Sequence, residues 1–216
     1  MKRARRTGLL ALATAIVAAA ALVIALTAAA QGGCGICGKN LIKNPGAELG
    51  RGVNAVDAFG AVPGWTLAAG QFGAASYAFP NGWFSARSKG PKNRGKNYFF
   101  GGTTRAAIEA QASIGTQTIK LPAAAVGRKA TLSGWLGNYA ENRAQVRAQF
   151  MDASGAVLST VRIGPAVTIA GSDMALRTRN GKVPAKTTQV MVSVIFSGGS
   201  PGYRLAGADS LSLVLS

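Results

Sequence analysis

Short segments of alternating apolar and polar residues, separated by glycine and proline, run through most of this 216-residue chain and constrain its fold more than any other feature. No stretch of the exported region keeps helical periodicity for three turns. Many short strands with turn residues between them are typical of an antiparallel β-sandwich. Seven segments fit a strand: Gly115–Leu121, Lys129–Gly137, Ala144–Met151, Val157–Ile163, Met174–Arg179, Gln189–Ser197 and Leu205–Leu215.

Two neighbouring segments predict a hairpin. Val146, Ala148 and Phe150 alternate with polar residues, the turn sequence 152–155 (Asp-Ala-Ser-Gly) follows, and Val157–Ile163 returns. Strand-like patterning on both sides of a glycine-containing loop is the usual hairpin signal. The segment Gln189–Ser197 is apolar at most positions, so we expect it to be buried on both faces.

Residues 1–30 are predicted to be an export signal and not part of the fold. Lys2, Arg3, Arg5 and Arg6 precede an almost wholly apolar run, and three alanines at positions 28–30 offer a signal-peptidase cleavage site. The apolar run is also long enough for an uncleaved signal anchor. Both readings predict a secreted or cell-surface protein, with a membrane contact only through an uncleaved leader.

The chain is strongly basic. It carries 24 lysines and arginines against seven acidic residues, for a net charge of +17. Such a charge favours anionic partners such as an acidic cell-wall polymer. The basic residues are scattered, and only Arg87–Lys96 is dense. Because this stretch is rich in glycine and polar residues, we interpret it first as a solvated loop. No nucleic-acid-binding motif accompanies the charge, so no nucleic-acid partner is expected.

Both cysteines, Cys34 and Cys37, lie in a glycine-rich segment at residues 31–38. A zinc site needs more ligands than the sequence offers, because it has no histidine and no third cysteine. The favoured interpretation is a small disulfide in a short tether, since exported proteins meet an oxidising environment. Lipidation of Cys34 is the alternative. One β-sandwich domain is expected over residues 39–216.

Five motifs resemble the galactose-binding-like jelly rolls, a superfamily that includes many carbohydrate-binding modules. They are Asn40–Glu48 followed by Gly64-Trp65, the Gly95–Gly102 segment, Ile114–Leu121, Leu132–Gly137 and Ala208–Leu213. They occur in the family's order and cover nearly the whole exported region. The resemblance implies an all-β, antiparallel jelly-roll β-sandwich whose role is binding.

The resemblance also implies a metal site. Members of such families often hold a structural Ca²⁺ where the first loop meets the last strand, and Glu48 and Asp209 match those positions. Ca²⁺ prefers six to eight oxygen ligands, and two carboxylates can anchor such a shell. The alternative is that both residues make only local hydrogen bonds. Calcium is therefore the one cofactor expected.

The acidic residues do not predict catalysis. Without histidine, imidazole-based triads are excluded. Glycoside hydrolysis needs a pair of carboxylates that flank the glycosidic bond, one on each side. Glu141 lies in a polar loop and is the best single candidate, but no convincing second carboxylate accompanies it. We therefore predict a protein that is not an enzyme.

A sugar site combines aromatic platforms with nearby polar groups. Trp83 follows a Pro-Asn-Gly turn, which predicts an exposed ring, whereas Trp65 and Trp135 are predicted core residues. Tyr139 lies beside polar residues. The predicted ligand surface comprises Trp83, Tyr139, Asn138, Asn142 and Arg143.

Three functions are compatible with these patterns. The leading hypothesis is a non-catalytic secreted or cell-surface module for carbohydrate or cell-wall glycan. The first alternative is a polybasic envelope domain that binds anionic polymer. The second is a structural domain that binds a protein partner.

Overall fold

A computed structural model describes residues 33–53, 60–79, 83–102, 110–138, 141–165, 172–198 and 204–216. The chain divides into two units, residues 1–35 and 36–216, and the fold described below belongs to the second. The predicted leader at residues 1–30 lies outside the described residues. Within the described part, no helix has the length and apolar character needed to cross a membrane.

The described residues form two five-stranded antiparallel sheets. Sheet A has the strand order β2-β3-β10-β5-β8, and sheet B has the order β1-β4-β9-β6-β7. A three-residue 3-10 helix, Ala123–Ala125, joins β4 to β5. The predicted class, an antiparallel jelly-roll β-sandwich, is confirmed. The strands are β1 Thr66–Ala69, β2 Gly73–Ser76, β3 Asn97–Phe100, β4 Ala112–Lys120, β5 Lys129–Gly137, β6 Asn142–Met151, β7 Val157–Ile163, β8 Met174–Lys182, β9 Gln189–Gly198 and β10 Gly207–Leu215.

The seven strands with alternating patterns are confirmed. The predicted bounds of β5 and β7 match the structure, and the other predicted ends differ by up to three residues. The hairpin is also confirmed, since β6 pairs antiparallel with β7 from Val146 opposite Ile163 onwards. The sequence did not predict β1, β2 and β3 as strands. Each has only four residues, too few to establish a period-two pattern.

The main core fills the space between the sheets. Phe99 of β3 is fully buried and contacts two further aromatic rings: Phe72 stacks on it with centroids 5.4 Å apart, and Trp65 meets it edge-on at 5.0 Å. The inward residues of β9, among them Val192 and Val194, pack from the opposite sheet. Trp65 is therefore a core residue, as predicted.

The opening segment of the domain is hydrogen-bonded to both sheets. Leu41 N–H donates to the Leu213 carbonyl of β10, and the Asn40 amide donates to the Leu211 carbonyl. On the other side, Gln117 of β4 accepts a hydrogen bond from Lys43 N–H and donates from Nε2 to the Lys43 and Gly64 carbonyls. The segment therefore closes one side of the sandwich.

A second apolar cluster lies on the outer face of sheet A. Phe99 points into the main core, so Tyr98 and Phe100 point outward, where they pack with Phe84 and Met174. Residues 83–96, between β2 and β3, cover this cluster. Trp135 packs against it and is only partly buried. Trp135 was predicted to be a core residue, and it packs against this outer cluster and not the main core, because its neighbour Leu136 takes the inward position and strand alternation turns Trp135 outward.

Cys34 and Cys37 are both disulfide-bonded. The two-residue spacing leaves only a small covalent loop, so the bond constrains the local backbone rather than the sandwich.

The buried amide of Gln117 is expected to contribute measurably to stability. Replacing it with methionine keeps the length of the side chain and leaves the Lys43 amide and two carbonyls without their partner, which costs about 1–3 kcal/mol per unsatisfied buried group. Urea denaturation should show this loss for Gln117→Met. Gln149→Met, at a half-buried glutamine with no such contacts, should change the free energy of unfolding by less than about 0.5 kcal/mol. Equal losses in both variants would contradict this role of Gln117.

Candidate functional site

The described members of the predicted ligand surface lie at one end of the sandwich. Strands β3, β5 and β9 end there, and β4, β6 and β10 begin there. Ser113 Oγ donates to the Gly101 carbonyl across the two sheets. We call this region the loop end. Asn138 follows β5 and Asn142 begins β6, and each is only 3% exposed. Tyr139 lies outside the described residues.

Trp83 and Arg143 belong to different faces of the sandwich. The Trp83 ring is half-buried and stacks on Phe100 with centroids 4.9 Å apart and an interplanar angle of 13°. It is thus part of the cluster on sheet A and is less exposed than its turn context predicts. Arg143 is exposed on β6, where the inward position belongs to Ala144, so it points outward from sheet B. The described members of the predicted surface therefore do not share one face.

The outer face of sheet B carries a row of polar side chains that runs across four strands. Thr116 of β4 lies opposite Ser193 of β9, which lies opposite Arg147 of β6, which lies opposite Arg162 of β7. Each alternates with buried neighbours of its own strand, so all four point away from the core. Ser193 is only 4% exposed, so Thr116, Arg147 and Arg162 are the accessible members of the row. We call this surface, with Arg143, Gln145 and Gln149 of β6, the polar face.

The polar face can supply both donors and acceptors. Arg147 Nε donates to the Gln145 side-chain carbonyl, which fixes the orientation of both side chains. Gln149 is half-buried one row away, and Thr160 of β7 lies opposite it and is exposed. Amide, hydroxyl and guanidinium groups in register are suited to hydrogen-bonding a ligand rich in hydroxyl groups.

The sequence contained the signal for the polar face. The alternation of Gln145, Arg147 and Gln149 with valine, alanine and phenylalanine was used to place β6. The same alternation indicates which side chains of β6 share its outward face. The contribution of β9 could not be found this way, because that strand is apolar except for Gln189 and two serines, and its outward residues include Met191 and Ile195.

The basic loop Arg87–Lys96 is organised by one inward arginine. Arg94 donates from Nη1 to the Ser85 carbonyl at 2.9 Å, from Nη2 to the Ser88 carbonyl at 2.7 Å and from Nε to the Pro91 carbonyl at 3.2 Å. Its guanidinium lies 5.1 Å from the ring centroid of Tyr77. The other four basic residues of the loop are exposed. Arg94 thus holds the cover of the outer aromatic cluster in place.

The two predicted metal ligands come close together beside Gly46. A β-carbon built on Gly46 would lie 3.0 Å from Asp209 Oδ1 and 3.9 Å from Glu48 Oε1. Both oxygens of Glu48 accept backbone hydrogen bonds, from Lys96 and Asn97. Asp209 accepts hydrogen bonds from the Tyr77 hydroxyl at 2.8 Å and from Ser210 N–H. The first loop therefore meets the last strand as the family resemblance implies.

The electrostatics of this junction suit a cation. Asp209 is fully buried, and burial raises the pKa of its carboxyl to about 7, since desolvation penalises the charged form and the nearby negative charge of Glu48 adds to the effect. Burial, with Asp209 as the second cause, also raises the pKa of Tyr77. Two neighbouring carboxylates fit a hard, oxygen-seeking ion such as Ca²⁺. Among the described residues, no group of three or more acidic, histidine or cysteine side chains adds further ligands.

Two other described carboxylates have local structural contacts. Asp152 accepts hydrogen bonds from Ser154 and Ala156 in the hairpin turn, and the Ser154 hydroxyl is the main cause that lowers the pKa of Asp152. Asp173 accepts a hydrogen bond from Lys89 N–H and so fastens the basic loop to β8. Both carboxylates therefore already serve to hold loops.

No protein-family model matches the chain. No curated protein matches it either. Solved structures with the same fold do match. A cyclase from Fischerella sp. in its apo form has a TM-score of 0.58 at 16% identity, over 82% of this chain and 95% of that one. A family 16 carbohydrate-binding module (Carbohydrate Binding Module-2) has a TM-score of 0.50 at 17% identity, over 81% of this chain and 99% of that one.

The enzymatically active domain of tailspike protein 4 from bacteriophage CBA120 has a TM-score of 0.56 at 14% identity. The match covers 82% of this chain and 21% of the tailspike domain, so the chain spans about a fifth of its length. At these identities the likeness shows the fold alone. That fold is an antiparallel jelly-roll β-sandwich.

Replacing Arg94 with lysine should destabilise the protein although the charge is kept. Lysine has no planar fork with which to reach three carbonyls, so the cover of the aromatic cluster loses hydrogen bonds worth about 1.5–3 kcal/mol for a charged donor. Chemical denaturation followed by circular dichroism should show this loss. Arg87→Lys, at an exposed position in the same loop, should leave the free energy of unfolding within about 0.5 kcal/mol. An Arg94→Lys variant as stable as the parent would contradict the assignment.

Proposed function

We propose that this chain is a non-catalytic carbohydrate-binding module that works outside the cell, in secreted or surface-attached form. The observation that carries the proposal is the polar face of sheet B, where Thr116, Ser193, Arg147 and Arg162 follow one another across four strands. A sugar chain presents hydroxyl groups along its length. A row of hydrogen-bonding side chains across a sheet can contact several of them at once.

Four of the five acidic residues that the structure describes support a binding role rather than catalysis. Glu48, Asp152, Asp173 and Asp209 each accept hydrogen bonds that hold loops or strands together. A glycosidase needs two carboxyl groups, one on each side of the glycosidic bond, that are free to act as acid and as base or nucleophile. Carboxylates used in this way by the fold are poorly suited to that role.

Arg143 is the member of the predicted ligand surface that fits this proposal best. It is exposed, extends outward from sheet B and continues the polar face towards the loop end. Trp83 stacks on Phe100 on the other side of the sandwich, so its ring already serves the fold. Tyr139 follows β5 in the sequence and is tested together with Trp83.

A glycan array tests the proposal and separates the two surfaces. The full chain, kept in mild detergent because of its apolar leader, should bind a neutral glycan at about 0.15 M salt and still at about 1 M, where charge attraction is screened within about 3 Å. Arg143→Ala and Gln149→Ala should each weaken binding by about tenfold, equivalent to about 1.4 kcal/mol. Trp83→Ala and Tyr139→Ala should change it less.

Two array results would contradict parts of this proposal. An array with no neutral glycan bound at either salt concentration would overturn the carbohydrate function and favour a protein partner. A loss of binding in Trp83→Ala and Tyr139→Ala, with Arg143→Ala and Gln149→Ala unchanged, would move the site to the predicted aromatic surface.

We also propose that Glu48 and Asp209 hold a structural Ca²⁺. The buried Asp209 carboxylate and its neighbour Glu48 would supply the charged oxygens, and the ion would join the first loop to β10. It would have no catalytic role. The support is the burial of Asp209, together with the closeness of both carboxylates to Gly46.

Thermal unfolding with calcium and with a chelator tests the metal site. Free Ca²⁺ at about 100-fold above its Kd should stabilise the protein by about 2.7 kcal/mol and raise Tm. Glu48→Gln should abolish the calcium-dependent shift, and Glu141→Gln, at an exposed acidic residue, should preserve it. The same Tm with calcium and with chelator in the unmodified chain would overturn the metal site.

A further inference from the structure

A polar cleft lies at the open side of the sandwich, between the two outermost strands. β7 is the last strand of sheet B and β8 is the last strand of sheet A. The cleft between them has a volume of about 480 Å³, and its lining includes Ser159, Thr160, Arg162, Arg179, Asn180 and Lys182. This volume falls in the range of roughly 300–1,000 Å³ found for small-molecule sites.

The cleft concentrates positive charge. Arg162, Arg179 and Lys182 line it, and neither β7 nor β8 contains an acidic residue. Two of these cations are also placed directly opposite other cations: Arg162 faces Arg147 across β6 and β7, and Lys182 faces Lys129 across β5 and β8. Like charges opposite each other in a sheet are destabilising. An anion bound between the strands would relieve this repulsion.

The floor of the cleft offers hydrogen-bonding groups at close range. A β-carbon on Gly181 would lie 2.3 Å from Val161 Cγ2, so glycine at this position is what allows the two strands to approach. Ser159 Oγ is buried and has no hydrogen-bond partner among the described residues. Buried hydroxyls are usually satisfied, and an incoming oxygen atom would satisfy this one. Asn180 Oδ1 accepts a hydrogen bond from Thr131, which holds its side chain in position.

We propose that this cleft binds the carboxylate-bearing units of an acidic polysaccharide. Guanidinium groups bind carboxylates with paired hydrogen bonds, and the hydroxyl and amide groups of Ser159, Thr160 and Asn180 suit the sugar hydroxyls beside the charge. β7 and β8 contain no aromatic residue, so they offer no platform for stacking nucleic-acid bases. The proposal rests on the proposed carbohydrate function for the class of ligand and adds a charged site that adjoins the polar face at Thr160 and Arg162 and does not include Arg143 or Gln149.

Isothermal titration with trigalacturonate at about 0.15 M salt tests the cleft, with the fully methyl-esterified trisaccharide as the uncharged comparison. The unmodified chain should bind trigalacturonate and bind the ester at least about tenfold more weakly. The double variant Arg162→Gln/Arg179→Gln should lose at least about tenfold in affinity. The control Arg87→Gln/Lys92→Gln removes the same charge from exposed positions of the basic loop and should lose less than about threefold.

Ser159→Ala provides a second test that does not alter charge. It should weaken trigalacturonate binding by a few-fold without lowering Tm, because it removes from the floor of the cleft one hydroxyl that has no partner in the fold. Equal losses in the two double variants would overturn the proposal, since only overall charge would then matter. Equal affinity for the ester, or tighter binding of a single-stranded oligonucleotide of matched charge, would overturn it as well.

The outcomes separate this proposal from the carbohydrate function itself. Binding of neutral glycans on the array without binding of trigalacturonate would overturn the cleft and leave the proposed function in place. Binding of trigalacturonate that depends on Arg162 and Arg179, without any neutral glycan on the array, would support the cleft and overturn the neutral site on the polar face.

Discussion

The hydrogen bonds that the opening segment makes to both sheets are the constraint on which the rest of the structure depends. The segment is bonded to β10 of sheet A through Asn40 and Leu41, and to β4 of sheet B through Gln117. Asn44, at a positive φ of 47°, then turns the chain so that its amide reaches the Pro63 carbonyl. Asparagine tolerates this left-handed conformation better than most residues. The turn also delivers Glu48 to the buried Asp209. A single asparagine-rich motif thus closes the sandwich and assembles the carboxylate pair.

The two outer faces of the sandwich differ in what they can do. Sheet A directs Tyr98 and Phe100 outward, and this apolar surface requires the cover that residues 83–96 provide through Arg94. Its aromatic rings are therefore used for stability. Sheet B directs threonine, serine, glutamine and arginine side chains outward, and these side chains are more useful for binding than for packing. The division explains why the function is proposed for sheet B although most aromatic residues lie elsewhere.

The sequence predicted the strands that are long enough to show alternation. The bounds of β5 and β7 were predicted to the residue. The turn at Asp152 was predicted from its Asp-Ala-Ser-Gly sequence, and in the structure the Asp152 carboxylate accepts the hydrogen bonds that hold it. β1, β2 and β3 could not be predicted because four residues carry too little periodicity. The covering loop was interpreted only as solvated, since nothing local distinguishes Arg94 from the exposed cations around it. The cleft could not be predicted either, because it depends on β7 and β8 being the edge strands of the two sheets on the same side of the sandwich.

The central claim is that the polar face of sheet B contacts a glycan. The most direct measurement is amide chemical-shift mapping of the isotopically labelled full chain in detergent, titrated with the neutral glycan that gives the strongest array signal. The account predicts that the largest shifts fall on β6 and its neighbours, at Arg143, Arg147, Gln149 and Met191. Shifts confined to Trp83 and the covering loop on sheet A would contradict it.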